Sequence, residues 1–182
     1  MSMDRATTEE DGTMERKRRG LVTMLALVIA LGVLAPLNGA ERPGKPAIYD
    51  PALDVPATIA SALPRAKAEN RHLLLMFGAN WCPWCHRLHE LFAADARIAA
   101  LLKRSYLLIL VDVGEKKTEP LNQDLLKKYR LEGFGYPALA VLAATGTLLS
   151  TQNSGVLEEG QGHSPVKVLG YLKANAPAIK PR

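Results

Sequence analysis

His72 to Phe77 is a short, almost unbroken apolar run, the pattern of a strand covered on both faces. From Pro83 onward Leu88, Leu91, Phe92, Ile98, Leu101 and Leu102 recur at three- and four-residue steps. That spacing predicts one long amphipathic helix, or two joined near Asp95. Tyr106 to Val113 predicts a second buried strand, and Gly114 to Thr118 a charged loop. Glu119 to Tyr129 reads as a helix with Leu121, Leu125 and Leu126 inward. The turn-rich Gly133-Phe134-Gly135-Tyr136-Pro137 precedes a third strand, Ala138 to Leu142. Thr145-Gly146 then turns into a fourth, Thr147 to Gln152. Asn153 to Gly162 is a polar loop, after which Ser164 is placed to cap a last helix from Pro165 to Asn175.

Ahead of these elements, Pro56 to Asn70 predicts a first helix with Ile59, Leu63 and Ala66 at helical spacing, despite Pro64 in its middle. Residues 41–55 carry Pro43, Pro46 and Pro51 and read as an extended linker or arm. The order of elements predicts an α/β fold, a central mixed sheet flanked by helices.

The chain has 182 residues, 48% hydrophobic and 23% charged, enough for one globular domain and a targeting segment. Residues 1–40 supply that segment. Arg16-Lys17-Arg18-Arg19 is followed by an apolar run from Leu21 to Leu34 and a small-residue exit at Asn38-Gly39-Ala40. This is the layout of a bacterial secretory signal or, if retained, of a membrane anchor. Either delivers the remainder outside the cytoplasm, to the periplasm or the outer face of the inner membrane. The globular domain is expected over 56–176, with a tail at 177–182. The net charge of +5 is spread over Arg65, Lys67, Arg71, Lys103, Arg104, Lys116, Lys117, Lys127 and Lys128, with few aromatics between. A solvated surface, not a nucleic-acid groove, accounts for that distribution.

Both cysteines of the chain, Cys82 and Cys85, lie in Trp81-Cys82-Pro83-Trp84-Cys85. A structural disulfide framework would need the same two sulfurs, so chemistry is their natural explanation. The order strand, cysteine pair, helix places both at a helix N-terminus, where unpaired N–H groups and the positive dipole end stabilise a thiolate. Such a site lowers a cysteine pKa from about 8.5 toward roughly 3.5 to 7.5. Cys82, nearer the helix end, is the expected nucleophile, and Cys85, a turn deeper, the resolving thiol. Pro83 has no N–H to leave unsatisfied in the first turn.

Phe77-Gly78-Ala79-Asn80-Trp81-Cys82-Pro83-Trp84-Cys85 resembles the active-site segment of thioredoxin-like proteins, and Gly135-Tyr136-Pro137-Ala138 their cis-proline loop. The resemblance covers about His72 to Asn175 in element order as well as motif. It implies a thioredoxin-like fold and thiol–disulfide exchange on exported proteins, preferentially as a reductase. Oxidase and isomerase are the alternatives. It further implies that Pro137 is cis and faces the cysteines, that the Tyr136 backbone pairs with substrate, and that Trp81, Pro83 and Trp84 form the contact surface. No cofactor and no metal are implied. The partners would be disulfide- or thiol-containing exported proteins and a membrane electron-donor reductase, with the chain itself a monomer. One departure stands out: thioredoxins carry a buried aspartate six residues before the first cysteine, and Met76 occupies that place here. His86 and His89, each one helical turn beyond a cysteine, are candidates to tune a thiol instead.

Three other readings compete. Cys82-Pro83-Trp84-Cys85-His86 satisfies the pattern of covalent haem attachment, with His89 or His163 as a second axial ligand. Cys82, Cys85, His86 and His89 supply atoms that zinc accepts, though four ligands within eight residues of one helix surround a metal poorly. The third is a redox-inactive thioredoxin-fold binding module.

Overall fold

The computed structural model describes residues 45–114 and 120–178. Helix α1 (Val55–Glu69) precedes strand β1 (His72–Gly78), and helices α2 (Pro83–Ala94) and α3 (Ala96–Ser105) lead into β2 (Tyr106–Asp112). Helix α4 (Gln123–Lys128), strands β3 (Ala138–Leu142) and β4 (Leu148–Asn153), a 3₁₀ turn (Ser154–Leu157), a small hairpin of β5 (Glu158–Glu159) and β6 (Gly162–His163), and helix α5 (Pro165–Ala174) complete the chain. The four-stranded sheet has the order β2-β1-β3-β4, with β1 parallel to β2 and antiparallel to β3, and β4 antiparallel to β3. This is the thioredoxin-like arrangement, a mixed sheet flanked by helices.

β1 occupies the middle of the sheet because both its faces are apolar. Leu73, Leu75 and Phe77 join the core half built with Val55, Ile59, Leu125, Leu126 and Tyr129. Leu74 and Met76 point the other way, into the half formed with Leu88, Phe92, Ile98, Leu101, Val168 and Leu172. Each such side chain contributes about 1.5–3 kcal/mol by leaving water. β2 differs from its expectation. It forms one edge of the sheet, so Leu108 is 36% exposed and Leu107 and Leu110 are only partly covered.

The helices follow their local signals. Asp54 caps α1 by accepting from Ala57 N at 3.0 Å, and Asn70 closes it in the left-handed conformation (φ 51°). Pro64 is tolerated because it and Ala60 lie on the exposed side, where the carbonyl left without a helical donor meets water. The long amphipathic stretch breaks into two helices at Asp95, whose carboxylate accepts from Arg97 N (2.9 Å) and Ile98 N (3.2 Å) and so starts a new helix. α4 is shorter than the expected Glu119–Tyr129. The Leu121 N–H is spent on the Val113 carbonyl (3.0 Å), and Asn122 turns left-handed (φ 53°), so the helix begins only at Gln123. The expected loop over 153–162 instead begins with the last residue of β4 and holds the 3₁₀ turn and most of the β5–β6 hairpin, which ends at His163.

Residues 45–54, within the stretch expected to be a linker, are docked. Tyr49 is 3% exposed and belongs to the core half that contains both cysteines. The compact unit therefore begins at Lys45, ahead of Pro56. The export segment expected over 1–40 lies outside the described residues, among which no helix is long and apolar enough to cross a membrane.

Candidate active site

β1 ends at Gly78, and the chain turns through Ala79-Asn80-Trp81 onto α2. The turn is closed by Cys82 N donating to the Ala79 carbonyl at 3.0 Å. Cys82 is the N-cap residue of α2, with extended backbone (φ −88°, ψ 106°), and its Sγ accepts the Cys85 N–H at 3.1 Å. The sulfur thus occupies the position where a capping oxygen normally satisfies one of the free N–H groups of a helix start. Negative charge on that sulfur is favoured by the same donor and by the helix dipole. Cys82 and Cys85 are joined in a disulfide, with their Cα atoms 5.3 Å apart. Both are buried, Cys85 wholly and Cys82 with 3% of its surface exposed.

The Tyr136–Pro137 loop faces the pair. The Tyr136–Pro137 peptide bond is cis, and the Tyr136 carbonyl oxygen lies 3.6 Å from Cys82 Sγ. Trp81 stands beside this loop, its ring edge-on to Tyr136 (centroids 6.2 Å) and its Nε1 donating to the Gly114 carbonyl at 2.9 Å. Trp84 is edge-on to His163 (5.5 Å), with the Arg87 guanidinium 4.7 Å from its ring centroid. Pro83 is exposed at the helix start between the two tryptophans. The cysteines, Trp81, Pro83 and Trp84 at the start of α2 and the Tyr136–Pro137 loop before β3 therefore lie at one end of the sheet.

Met76 is wholly buried on the cysteine side of the sheet. Of the two histidine candidates, His89 is only half-buried. His86 is buried, and its Nε2 lies 2.8 Å from the Asn80 carbonyl, which ties it to the turn before the cysteines. The two sulfurs beside it are bonded to each other. Among the described residues no three His, Cys, Asp or Glu side chains gather to hold a metal.

Three residues near the site, Asn80, Asp112 and Tyr49, carry no signal in the sequence, and a fourth, His163, enters there only as a haem ligand. Asn80 holds the N-terminal arm: its Oδ1 accepts from Ile48 N (2.8 Å) and Tyr49 N (2.9 Å), and its Nδ2 donates to the Tyr49 carbonyl (2.9 Å). Asp112, a buried carboxylate at the end of β2, pairs in register with Gly78 and accepts from Gly114 N at 2.7 Å. Tyr49 packs behind the cysteines. His163 was singled out only for haem ligation; here it is buried, with neither ring nitrogen hydrogen-bonded among the described residues.

Burial, and secondarily the charge of Arg87, pushes the His163 pKa below its ordinary 6.5. The unfolded chain therefore binds this proton more readily than the folded one. Stability should be fully present above pH 6.5 and should begin to fall as the pH drops through that value. Urea titrations between pH 8 and pH 5 should show this decline, and His163→Leu should flatten it. An unchanged slope in the variant would assign the decline to other groups.

Residues 59–161 match a family described as a thioredoxin-like domain. The chain is 27% identical over 143 residues to a thiol:disulfide interchange protein DsbD of Ralstonia nicotianae, covering 79% of this chain and 20% of that protein. It is 31% identical over 116 residues to thiol:disulfide interchange protein DsbD 1 of Pseudomonas aeruginosa, covering 64% and 19% respectively. The chain thus spans about a fifth of the length of these relatives. Among solved structures, a disulphide isomerase from Xylella fastidiosa is similar at a TM-score of 0.62 and 25% identity, over 71% of this chain and 97% of that one.

Proposed function

The chain belongs to the thioredoxin-like domain family, and on that premise we propose that it is a thiol–disulfide oxidoreductase acting on exported proteins, chiefly as a disulfide reductase. One observation carries the reading. Two sulfurs close a bond across the first turn of a helix, the outer one capping that helix and facing the Tyr136 carbonyl.

In the reduced protein the Cys82 thiolate attacks a substrate disulfide, forming a mixed disulfide and releasing one substrate thiolate. Cys85, as thiolate, then attacks Cys82 Sγ and expels the second substrate thiolate. Two electrons pass to the substrate, and the Cys82–Cys85 disulfide remains. A membrane electron donor would reopen it, with its own thiols oxidised in exchange. Tyr136, beside cis-Pro137, offers backbone groups to an extended substrate segment, while Trp81, Pro83 and Trp84 border the approach. Export through the 1–40 segment is part of the reading, and its support is the basic-then-apolar layout of those residues.

The test is a trapping experiment. Cys85→Ser should accumulate mixed disulfides with thiol-oxidised substrates, whereas Cys82→Ser should form none. Equal trapping by both variants, or none by either, would sink the assigned roles. A measured reduction potential then separates reductase from isomerase, the activity named for the similar Xylella structure.

A further inference from the structure

A buried hydroxyl without a partner is rare in a folded protein and asks for an explanation. Tyr49 carries one: the side chain is 3% exposed and its hydroxyl has no hydrogen-bond partner among the described residues. The place of that hydroxyl is defined by Gly78. A Cβ built on Gly78 would lie 2.5 Å from Cys85 Sγ and closer still to the Tyr49 oxygen, so both atoms crowd the same face of one glycine. The backbone on either side of Tyr49 is fixed by the three Asn80 hydrogen bonds, which hold the ring at this spot.

We propose that Tyr49 is a positioning residue for the resolving thiol: when the disulfide opens, its hydroxyl donates a hydrogen bond to Cys85 Sγ and stabilises the thiolate there. In the disulfide the sulfur carries no charge and the hydroxyl waits unpaired. On reduction Cys85 becomes an anion-forming group in an apolar pocket lined by Met76 and Leu88. Desolvation alone would raise its pKa and slow resolution. A phenol donor next to the sulfur opposes that rise. Burial and the nearby charge of Asp112 push the Tyr49 pKa far up, so the hydroxyl keeps its proton to donate. The charged and titratable groups around this pair are Asp112 at the end of β2 and His86 on α2, the latter already engaged with the Asn80 carbonyl.

The inference rests on Cys85 being the resolving thiol. Tyr49→Phe keeps the ring and removes only the oxygen. In a Cys82→Ser background, alkylation of Cys85 against pH should give a pKa about one unit higher in the Tyr49→Phe protein. Resolution of a Cys82 mixed disulfide near neutral pH should slow by up to roughly tenfold. Alkylation of Cys82 in the Cys85→Ser background should not change, which a general loosening of the site would not spare. An unchanged Cys85 titration overturns the inference while leaving the trapping result intact; failed trapping overturns the exchange reading itself. Should Tyr49→Phe not fold, the ¹³Cζ resonance of Tyr49 in the intact protein serves instead. It should move on reduction of the disulfide, and a stationary signal overturns the proposal.

Discussion

Replacing Cys82 with serine is expected to reduce disulfide exchange by at least roughly a thousandfold, with the fold retained. The attacking species is an anion, and a serine hydroxyl does not ionise near neutral pH, whereas a thiol at a helix start does so readily. Serine is itself a good helix N-cap, so its Oγ takes over the Cys85 N–H that Cys82 Sγ accepts here. The variant therefore loses the nucleophile and the cross-link but keeps the cap. A stopped assay with a model disulfide, run beside a denaturant titration, checks both halves. Residual exchange within tenfold of the parent would mean that Cys85 attacks directly.

The second large effect is expected at Gly78. Alanine there needs no unusual backbone, so the penalty is steric. The new methyl would meet Cys85 Sγ at 2.5 Å and the Tyr49 oxygen closer still. Neither neighbour can give way easily. Cys85 is tied to Cys82, and Tyr49 is held by the three hydrogen bonds to Asn80. Overpacking of this kind costs about 3 kcal/mol, read as a lower denaturant midpoint at unchanged slope. The loss should be smaller after reduction, when Cys85 Sγ is free to turn aside. Gly135→Ala is the control, because nothing lies within 4 Å of a Cβ there and little should change. Equal losses in the oxidised and reduced forms would show that the sulfur is not what the methyl strikes.

The parts of the molecule legible in its sequence are those where local chemistry and burial agree. β1 was visible because both its faces are covered and all its residues from Leu73 to Phe77 are apolar. The sequence left one helix or two open around Asp95, and the break falls there because aspartate both interrupts a helix and caps the next one. β2 misled because an apolar run does not say whether a strand will be central or lie at an edge; that is settled by long-range pairing. The start of α4 misled for a related reason, since Leu121 and Pro120 pair back toward Val113 and Gly114. At the site, the cysteines and the Tyr136–Pro137 loop announced themselves by motif. Tyr49 did not: three prolines made its segment look like a linker, and nothing local says that its ring turns inward. Asn80 was hidden in the same way, because an asparagine in a turn is ordinary and only its distant partners give it meaning.

The alternation along β1 divides labour between two populations of side chains. Leu74 and Met76 share their compartment with both sulfurs, whereas Leu73 and Leu75 lie across the sheet with α1 and α4. A substitution at Leu73 or Leu75 still reaches the sulfur compartment through Trp81 and Tyr136, which pack against both halves.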